Sequence, residues 1–343
     1  MVAIARRTRI IDAAEFAPGD VEPLLASSQP TIVKGLAADW PLVQRGQQSP
    51  ETAIDYLAGF DRGAPIVGYT GEPDSGGRYT YNADLTGFNF VRERVGLTDY
   101  LGRMRAQLGG VDTQSLYVGS TDLATYLPGF AQANPLPFTS KTLDACRPMA
   151  SIWIGSRTIA PAHWDMSNNI AVCAVGRRRF TLFPPEQAAN LYPGPLEPTP
   201  GGQVVSMVDF DAPDFERHPG FRDALAAAEV ADLEPGDVLV YPALWWHQVE
   251  ALDAFNVLVN YWWNTAEAFT DNPITTLLHG MLALRDRPDA EKQAWRVLFD
   301  YYVFGPADRA AAHLPPHARG PLEKLDERGA RRLRAQILQK ISR

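Results

Sequence analysis

The sequence predicts a mainly β protein, a sandwich or barrel of short strands flanked by helices. Between about residues 113 and 265, short apolar or alternating runs recur, and Gly, Pro and Asp separate them. Evenly spaced strands with such breaks are typical of all-β sandwiches and barrels. The runs are SLYVGS, SIWIGS, NIAVCAVG, RFTLFPP, DVLVYP and FNVLVNYWW. After residue 265 the apolar spacing becomes helical, so we expect a β domain over 1–265 and a helical region over 266–343.

Helical additions are expected ahead of the strand-rich segment. Residues 30–36 (PTIVKGL) predict a strand, and residues 38–41 predict the turn that follows it. The spacing of apolar residues predicts helices over 51–60 and 96–109. Turn-forming residues at 71–77 predict a loop. The β domain should therefore carry its helices at the N-terminal side.

Helical patterns also fill the C-terminal region. Asp271 is expected to cap a helix that has Pro273 in its first turn. A second helix is expected through Trp295, and the tail from Pro321 to Arg343 is charged but amphipathic. An apolar stripe alone does not name its partner. The tail therefore either packs on its own domain or forms a dimer.

Composition and charge describe an ordinary globular protein. Of the 343 residues, 45% are hydrophobic and 21% are charged. The net charge of -8 gives no basic footprint for nucleic acid. No apolar run approaches the roughly 18 residues of a membrane span, and no signal peptide is evident. Two cysteines, Cys146 and Cys173, are too few for a disulfide framework, so we expect a cytoplasmic protein with no membrane partner.

Two closely spaced residues suggest a metal site. In the segment Ala-Pro-Ala-His163-Trp-Asp165, an extended chain would turn residues i and i+2 to one face. His163 and Asp165 would then form two thirds of a 2-His-1-carboxylate triad, which binds iron(II) and leaves open positions. His247, at a strand start after a Pro-Gly-Asp turn, is the expected third ligand. The alternative is a core histidine bonded to Asp165, because His-x-Asp is common by chance.

The remaining histidines suit a metal less well. His218 precedes Pro219 in a loop and is expected to be exposed. His313 and His317 are four residues apart, but the two prolines between them exclude a helical metal pair.

The block from Ser151 to Trp263 resembles the JmjC, or cupin-like, family of iron(II)- and 2-oxoglutarate-dependent oxygenases. The resemblance is to the branch that contains the asparaginyl hydroxylase of hypoxia-inducible factor. It rests on PAHWDMSNN, GRRRFTLFPPEQAANLYP, VDFDAPDFERHPGF, PGDVLVYPALWWHQVEAL and VNYWW. The N-terminal PTIVKGLAADWP also resembles that family, so the likeness covers most of residues 28–265.

The resemblance implies a double-stranded β-helix, of the cupin or jelly-roll type, with a metal inside. His163, Asp165 and His247 match the iron ligands. Tyr117 matches a tyrosine that hydrogen-bonds the distal carboxylate of 2-oxoglutarate. The pocket would also be lined by two asparagines of the family, which are matched here by Asn169 and Asn260.

Two positions depart from the family pattern. The lysine that usually anchors 2-oxoglutarate is replaced by Arg178, which keeps the charge and can bind a carboxylate through two hydrogen bonds. A threonine that supports this anchor is replaced by the smaller Ala160. Strand alternation places Arg178 and Phe180 on one face, and we expect that face to point inward. The alternative is a solvated run of arginines.

The implied activity is hydroxylation with oxygen as co-substrate, and demethylation is possible in principle. The substrate is a peptide or protein side chain, or a small molecule. Loops at 71–95 and 121–145 are expected to shape its access. The resemblance also implies a homodimer through the C-terminal helices. Two alternatives stay open: a non-catalytic cupin that binds metal or ligand, and a cupin enzyme that does not use 2-oxoglutarate.

Overall fold

The computed structural model describes residues 4–16, 21–110, 114–136 and 138–342. The chain divides into two compact units, Met1–Asn264 and Thr265–Arg343. The first unit contains all the strands of the described chain. In chain order they are β1 Arg9–Asp12, β2 Thr31–Lys34, β3 Ile66–Gly71, β4 Phe90–Val95, β5 Leu116–Asp122, β6 Met149–Gly155, β7 Ile159–Trp164, β8 Asn168–Val175, β9 Arg178–Phe183, β10 Glu229–Leu233, β11 Val238–Tyr241, β12 Trp246–Ala251 and β13 Asn256–Trp263.

Helices occur in both units, and eight of them belong to the first. These are α1 Val21–Leu25, α2 Pro41–Gln48, α3 Pro50–Ala58, α4 Leu97–Ala106, α5 Leu123–Tyr126, α6 Phe130–Ala133, α7 Lys141–Cys146 and α8 Phe221–Ala227. A 3-10 helix, Pro185–Leu191, follows β9. The second unit contains α9 Pro273–Leu284, α10 Asp289–Phe299 and α11 Glu327–Ile341, with a π turn at Asp300–Phe304.

The strands form two sheets. Nine strands make the larger sheet, in the order β1-β2-β11-β8-β13-β6-β5-β3-β4, and four make the smaller one, β10-β9-β12-β7. Only β1 and β2 pair in parallel among the described strand pairs; the others are antiparallel. Alternate residues of these strands therefore point to opposite faces of each sheet.

The two sheets face each other across an apolar layer. Phe180 and Leu182 of β9 lie in one buried cluster with Ala171 and Cys173 of β8 and with residues of β10, β11 and β13. This arrangement confirms the predicted double-stranded β-helix. The outer face of the larger sheet is covered by α2, α3 and α4, and that of the smaller sheet by α8 and the 3-10 helix. The core is thus layered, and the site lies between the sheets.

Sequence patterns located the long strands but missed short elements. Residues 229–233 form β10 at the edge of the smaller sheet, a strand that the sequence patterns did not predict. The strand begins with Glu229, a buried carboxylate that accepts a hydrogen bond from Thr8 at 3.2 Å. A buried acid at a strand start hides the apolar alternation by which such a strand is found.

The cap of α9 corrects one prediction. Asn272, and not Asp271, is the N-cap residue, and its side chain accepts from the Ile274 amide at 2.9 Å. Asp271 instead forms an ion pair with Arg334 of α11 at 2.6 Å. The last helix also begins at Glu327, later than the amphipathic pattern that starts at Pro321. Within the described chain, no helix is both long and apolar enough to cross a bilayer.

A buried aspartate joins β2 to the turn before β11. The Asp237 carboxylate accepts from Lys34 Nζ at 2.6 Å, from the Gly35 amide at 2.9 Å and from the Glu234 amide at 2.7 Å. Gly236 beside it has a φ of 99°, and a Cβ there would lie 3.0 Å from the Cα of Ala38. The Pro-Gly-Asp turn therefore fixes how β11 enters the larger sheet.

We expect Asp237→Asn to lower the free energy of unfolding by about 2–3 kcal/mol, because charged hydrogen bonds of this kind contribute about 1.5–3 kcal/mol. Urea unfolding of purified protein measures the change. The matched control is Asp55→Asn, which removes an exposed ion pair with Arg105 and should change stability by less than about 1 kcal/mol. Equal losses in the two variants would contradict the assigned role of Asp237.

Candidate active site

Three potential metal ligands meet between the sheets. One ligand atom each from His163, Asp165 and His247 lies within 4.8 Å of the other two. His163 lies near the end of β7 and is paired directly with His247 of β12. The two imidazole ring centroids are 4.3 Å apart, and the nearest Asp165 oxygen is 3.7 Å from His247 Nε2. The structure thus brings together the three residues that the sequence suggested as a triad.

Backbone carbonyls set the tautomer of both histidines. His163 Nδ1 lies 2.8 Å from the Pro161 carbonyl, and His247 Nδ1 lies 3.0 Å from the Trp245 carbonyl. A carbonyl only accepts, so each Nδ1 must carry the proton. Each Nε2 then keeps a lone pair available for a metal. Such an outer hydrogen bond is the usual way a protein orients a histidine ligand.

Burial keeps His247 neutral. Its side chain is 3% exposed, and burial together with the neighbouring His163 lowers the pKa of His247 to about 4. Asp165 acts in the opposite direction but does not outweigh these effects. At neutral pH the imidazole therefore requires no deprotonation before it binds a metal.

A β-bulge shapes the strand that carries His163. The pairing of β12 with β7 shifts between His247 and Val249, so that Val249 pairs with Ala160. Two residues of β7 consequently lie opposite Gln248 alone. Bulges re-aim side chains at such positions. Here the bulge lets both Ala160 and His163 line the same cavity.

Arg178 is a buried cation in that cavity. It is 3% exposed, and neither its Nε nor its Nη2 has a partner among the described residues. Its neighbours in sequence point outward: Arg177, just before β9, pairs with Asp253, and Arg179 pairs with Asp232. The predicted alternation of this arginine run is therefore confirmed. Tyr117 lines the same cavity and interacts electrostatically with Arg178, while burial raises the pKa of its hydroxyl.

The two predicted asparagines form a hydrogen-bonded chain that ends at the triad. Asn260 Nδ2 donates to Asn169 Oδ1 at 2.5 Å, and Asn169 Nδ2 donates to the Tyr241 hydroxyl at 2.6 Å. The Tyr241 hydroxyl in turn lies 3.4 Å from His247 Nε2. Burial and the charge of Asp165 raise the pKa of Tyr241 well above its usual value, so it stays a hydrogen-bond donor.

Tyr241 is a site residue that the sequence patterns did not reveal. It ends the strand VLVY, where it reads as one more apolar strand residue. Its closeness in sequence to His247 suggests that it lies near the site. The direction of its side chain, however, depends on the pairing of β11 with β8. That pairing places Tyr241 opposite Asn169, which explains the contact.

The ligands open into a cavity of about 190 Å³. Its walls are rich in aromatic rings, from Tyr69, Tyr79, Phe90, Tyr117, Trp153 and Trp262. Of the two segments expected to shape access, 71–95 contributes Tyr79 and Phe90. None of the described residues of 121–145 lines the cavity, which corrects that expectation. Those residues instead form short helices on the other face of the larger sheet.

A proline-rich strap, residues 193–208, completes the cavity. Its residues Pro200, Gly201, Gln203 and Val205 line the space beside the triad. The strap is fixed to β7, because the Ser206 amide donates to the Ala162 carbonyl at 2.7 Å. The Tyr81 hydroxyl holds its far side through the Pro195 and Pro198 carbonyls, each at 3.1 Å. No sequence pattern connected this stretch with the site.

His218 is buried rather than exposed. It is 9% exposed, and its ring packs against Tyr192 at a centroid distance of 4.7 Å. The residue follows a short turn whose amides are capped by Asp214, and this turn folds the loop back onto the protein. His218 does not line the cavity, so its burial leaves the proposed ligand set unchanged.

Comparisons with known proteins agree with this architecture. The family model of a cupin-like domain matches residues 20–269. Human HSPB1-associated protein 1 is 36% identical over 151 residues, which are 43% of this chain and 30% of that protein. The tRNA wybutosine-synthesizing protein 5 of Danio rerio is 32% identical over 138 residues, or 40% of this chain and 36% of that protein.

A longer and weaker match is to lysine-specific demethylase 8 of Xenopus tropicalis. It is 25% identical over 243 residues, which cover 70% of this chain and 49% of that protein. The chain thus spans at most about half the length of these curated relatives. The domain match, in contrast, covers well over half of the 343 residues and includes the whole region that carries the ligand motifs. On these grounds, the chain belongs to the cupin-like branch of the JmjC family.

Proposed function

We propose that this protein is an iron(II)- and 2-oxoglutarate-dependent oxygenase. One observation carries the proposal: a His-Asp-His cluster and an unpaired, buried arginine line the same cavity. The cluster has the donor set of the facial triad that binds iron(II). The arginine needs an anion, because a buried charge without a partner is strongly unfavourable.

The donor set fits iron(II). His163, Asp165 and His247 would hold the metal through two neutral imidazoles and one carboxylate. Iron(II) at such a triad supplies oxygen activation coupled to oxidative decarboxylation of 2-oxoglutarate to succinate and carbon dioxide. The chain itself fixes the ligands: the Pro161 and Trp245 carbonyls hold the two imidazole rings in the binding tautomer.

The opposite end of the cavity fits a dicarboxylate. Arg178 Nε and Nη2 are neighbouring donors of one guanidinium, and both lack partners in the part of the chain that the structure describes. A guanidinium edge of this kind matches a carboxylate through two hydrogen bonds. Tyr117, close enough to Arg178 to interact with its charge, is placed to donate to the same carboxylate. Ala160, on the adjoining wall, leaves room for the larger side chain of arginine.

The hydrogen-bonded chain from Asn260 through Asn169 to Tyr241 would orient groups next to the metal. Asn169 donates to the Tyr241 oxygen, so the single Tyr241 proton must point elsewhere. With Nε2 of His247 bound to a metal, that proton is available to another oxygen acceptor near the triad. The chain would therefore keep one donor directed at the reaction centre.

The substrate would be a peptide or protein side chain, or a small molecule, with oxygen as co-substrate. The names of the relatives do not agree on a target: one denotes a lysine demethylase and another a tRNA-modifying protein. We propose hydroxylation as the default reaction, since demethylation is hydroxylation at an N-methyl carbon. A cytoplasmic location stays a prediction. The two cysteines, Cys146 and Cys173, are free thiols, which is compatible with a reducing compartment.

We expect His163→Ala, Asp165→Ala and His247→Ala each to weaken iron(II) binding by more than about 100-fold, since loss of even an outer-sphere partner costs 10–100-fold. Isothermal titration calorimetry with iron(II) under anaerobic conditions measures the affinity. His279→Ala, at an exposed position of α9, is the control and should bind iron as the wild type does. Unchanged binding in the three ligand variants would exclude the assigned triad.

Adding 2-oxoglutarate anaerobically to the iron-loaded protein should produce a visible metal-to-ligand charge-transfer band. Arg178→Ala should weaken 2-oxoglutarate binding by roughly 100-fold, because truncating one partner of a buried charge pair costs about 2–5 kcal/mol. Arg177→Ala removes the exposed arginine that precedes Arg178 in the sequence and should leave the band unchanged. Iron binding without a band would favour a non-catalytic cupin or an enzyme that does not use 2-oxoglutarate.

We also propose that the helices of the second unit form a homodimer. Large apolar side chains are exposed on these helices and turns: Leu277, Leu278, Leu282, Trp295, Val297, Leu298, Tyr302, Val303, Phe304, Ile337, Leu338 and Ile341. Among them, Leu282 is 82% exposed and Phe304 is 74% exposed. Monomeric proteins rarely expose so many apolar residues in one region.

The double variant Leu282→Arg with Phe304→Arg should therefore be monomeric, as should a protein lacking residues 306–343. Light scattering gives the molar mass in solution. Val91→Arg, at a 67% exposed position of β4, is the control and should remain dimeric. A wild-type protein that is already monomeric, or variants that keep the wild-type mass, would exclude this dimer.

A further inference from the structure

The cavity beside the triad has almost no charge to offer a substrate. Among the described residues that line it, Asp165 is the only carboxylate and Arg178 is the only lysine or arginine. Under the proposed function, Asp165 binds the metal and Arg178 binds 2-oxoglutarate. The charges of iron(II), the 2-oxoglutarate dianion, Asp165 and Arg178 then cancel. The loaded cavity therefore has no spare counter-ion.

Of the neutral lining atoms that are buried without a partner among the described residues, two are donors and one is an acceptor. The indole Nε1 atoms of Trp153 and Trp262 are buried and have no partner among the described residues. Only one lining acceptor, Asn260 Oδ1, is in the same situation. An ammonium or guanidinium group can donate hydrogen bonds but cannot accept them. Such a group therefore cannot pair with either indole N–H.

A cation already lies against the aromatic wall. The Arg92 guanidinium is 5.5 Å from the ring centroid of Phe90 and 5.8 Å from that of Tyr69, and both rings line the cavity. Its Nη2 also donates to the Pro200 carbonyl of the strap at 3.3 Å. Aromatic faces attract cations, but here the exposed Arg92 already lies against two of these rings.

We propose that the group oxidised in this cavity is uncharged, and that lysine and arginine side chains are excluded from it. This inference rests on the proposed oxygenase function and adds its substrate class. An apolar or neutral polar side chain gains from contact with the aromatic walls. A cation would lose its hydration without a counter-charge to replace it. The inference distinguishes this chain from the relative that is named a lysine-specific demethylase.

The strap and β5 supply neutral groups that suit such a side chain. Gln203 of the strap and Ser120 of β5 both line the cavity. Each can donate and accept hydrogen bonds, so together they can orient a neutral polar group without a charge. Gln203 is half-buried, and its amide is close in shape to a carboxylate. This makes Gln203 the position at which a counter-ion can be added with least change.

The test measures binding of three capped amino acids to the full-length protein loaded with iron(II) and 2-oxoglutarate under anaerobic conditions. The probes are the Nα-acetyl methylamides of norleucine, glutamine and lysine, which have similar lengths but differ in charge. Calorimetry gives the affinities. We expect both neutral probes to bind at least tenfold more tightly than the lysine probe.

Gln203→Glu should remove the preference for the neutral probes by adding a carboxylate to the lining. We expect the lysine probe to bind at least tenfold more tightly to this variant than to the wild type. Gln203→Met is the control for the loss of the amide and should still reject lysine. This gain of binding separates a charge effect from a variant that merely folds less well.

Wild-type protein that binds the lysine probe as tightly as the neutral ones would overturn the inference. Failure of all three probes to bind would overturn it as well, since a cavity for neutral side chains must admit norleucine or glutamine. The charge-transfer band, recorded before any probe is added, reports separately on the proposed function. Absence of that band counts against the oxygenase proposal, whereas the calorimetric ranking still decides the charge preference of the cavity.

Discussion

The direct cross-strand pairing of His163 with His247 is the constraint on which the candidate site depends. Side chains alternate between the two faces of a strand, and His163 and His247 each occupy a position whose side chain points between the sheets. A shift of one residue in this pairing would turn one imidazole to the outer face. The register is held on the other side of β12, where His247 pairs with Leu182 and Val249 with Phe180 of β9.

Asp165 depends on the same pairing, although it lies just beyond the end of β7. Its carbonyl accepts from the Leu244 amide at 2.8 Å, which ties it to the residues that precede β12. This backbone hydrogen bond, rather than a salt bridge, positions the Asp165 carboxylate beside the two imidazoles. A site built from strand register in this way is stiff before any ligand binds, and stiffness of the ligand shell favours binding.

Several buried groups around the triad lack the partners that stability alone would require. Counting only described residues as partners, Arg178 has two orphaned donor atoms, and the indoles of Trp153 and Trp262 each have one. Most buried polar atoms in proteins are paired. Their concentration in one cavity is therefore informative: the fold holds unpaired donors where a ligand with acceptor atoms would complete them. By contrast, the residues on either side of Arg178 in the sequence, Arg177 and Arg179, point outward and both have acidic partners.

The walls of the cavity come from parts of the chain that are distant in sequence. The strap, residues 193–208, closes one side, and the aromatic rings of β3, β4 and β5 close the other. Tyr81 and Arg92 link these two sides by bonds to strap carbonyls. Enclosure of this kind lowers the local polarity, and electrostatic differences between neutral and cationic groups become larger there. The selectivity proposed above would thus be a property of the enclosure rather than of the triad.

The sequence by itself determined what depends on local periodicity and on close spacing. Alternation identified the main strands and placed Arg178 inward between two outward arginines, and the i, i+2 rule put His163 and Asp165 on one side. Only the tertiary structure decided what depends on long-range pairing. The register between β12 and β7 made His247 the partner of His163, and the pairing of β11 with β8 brought Tyr241 to Asn169. Loop packing buried His218 and placed the strap over the triad. Local rules specify which way a side chain points, but contacts between distant segments depend on how the whole chain packs.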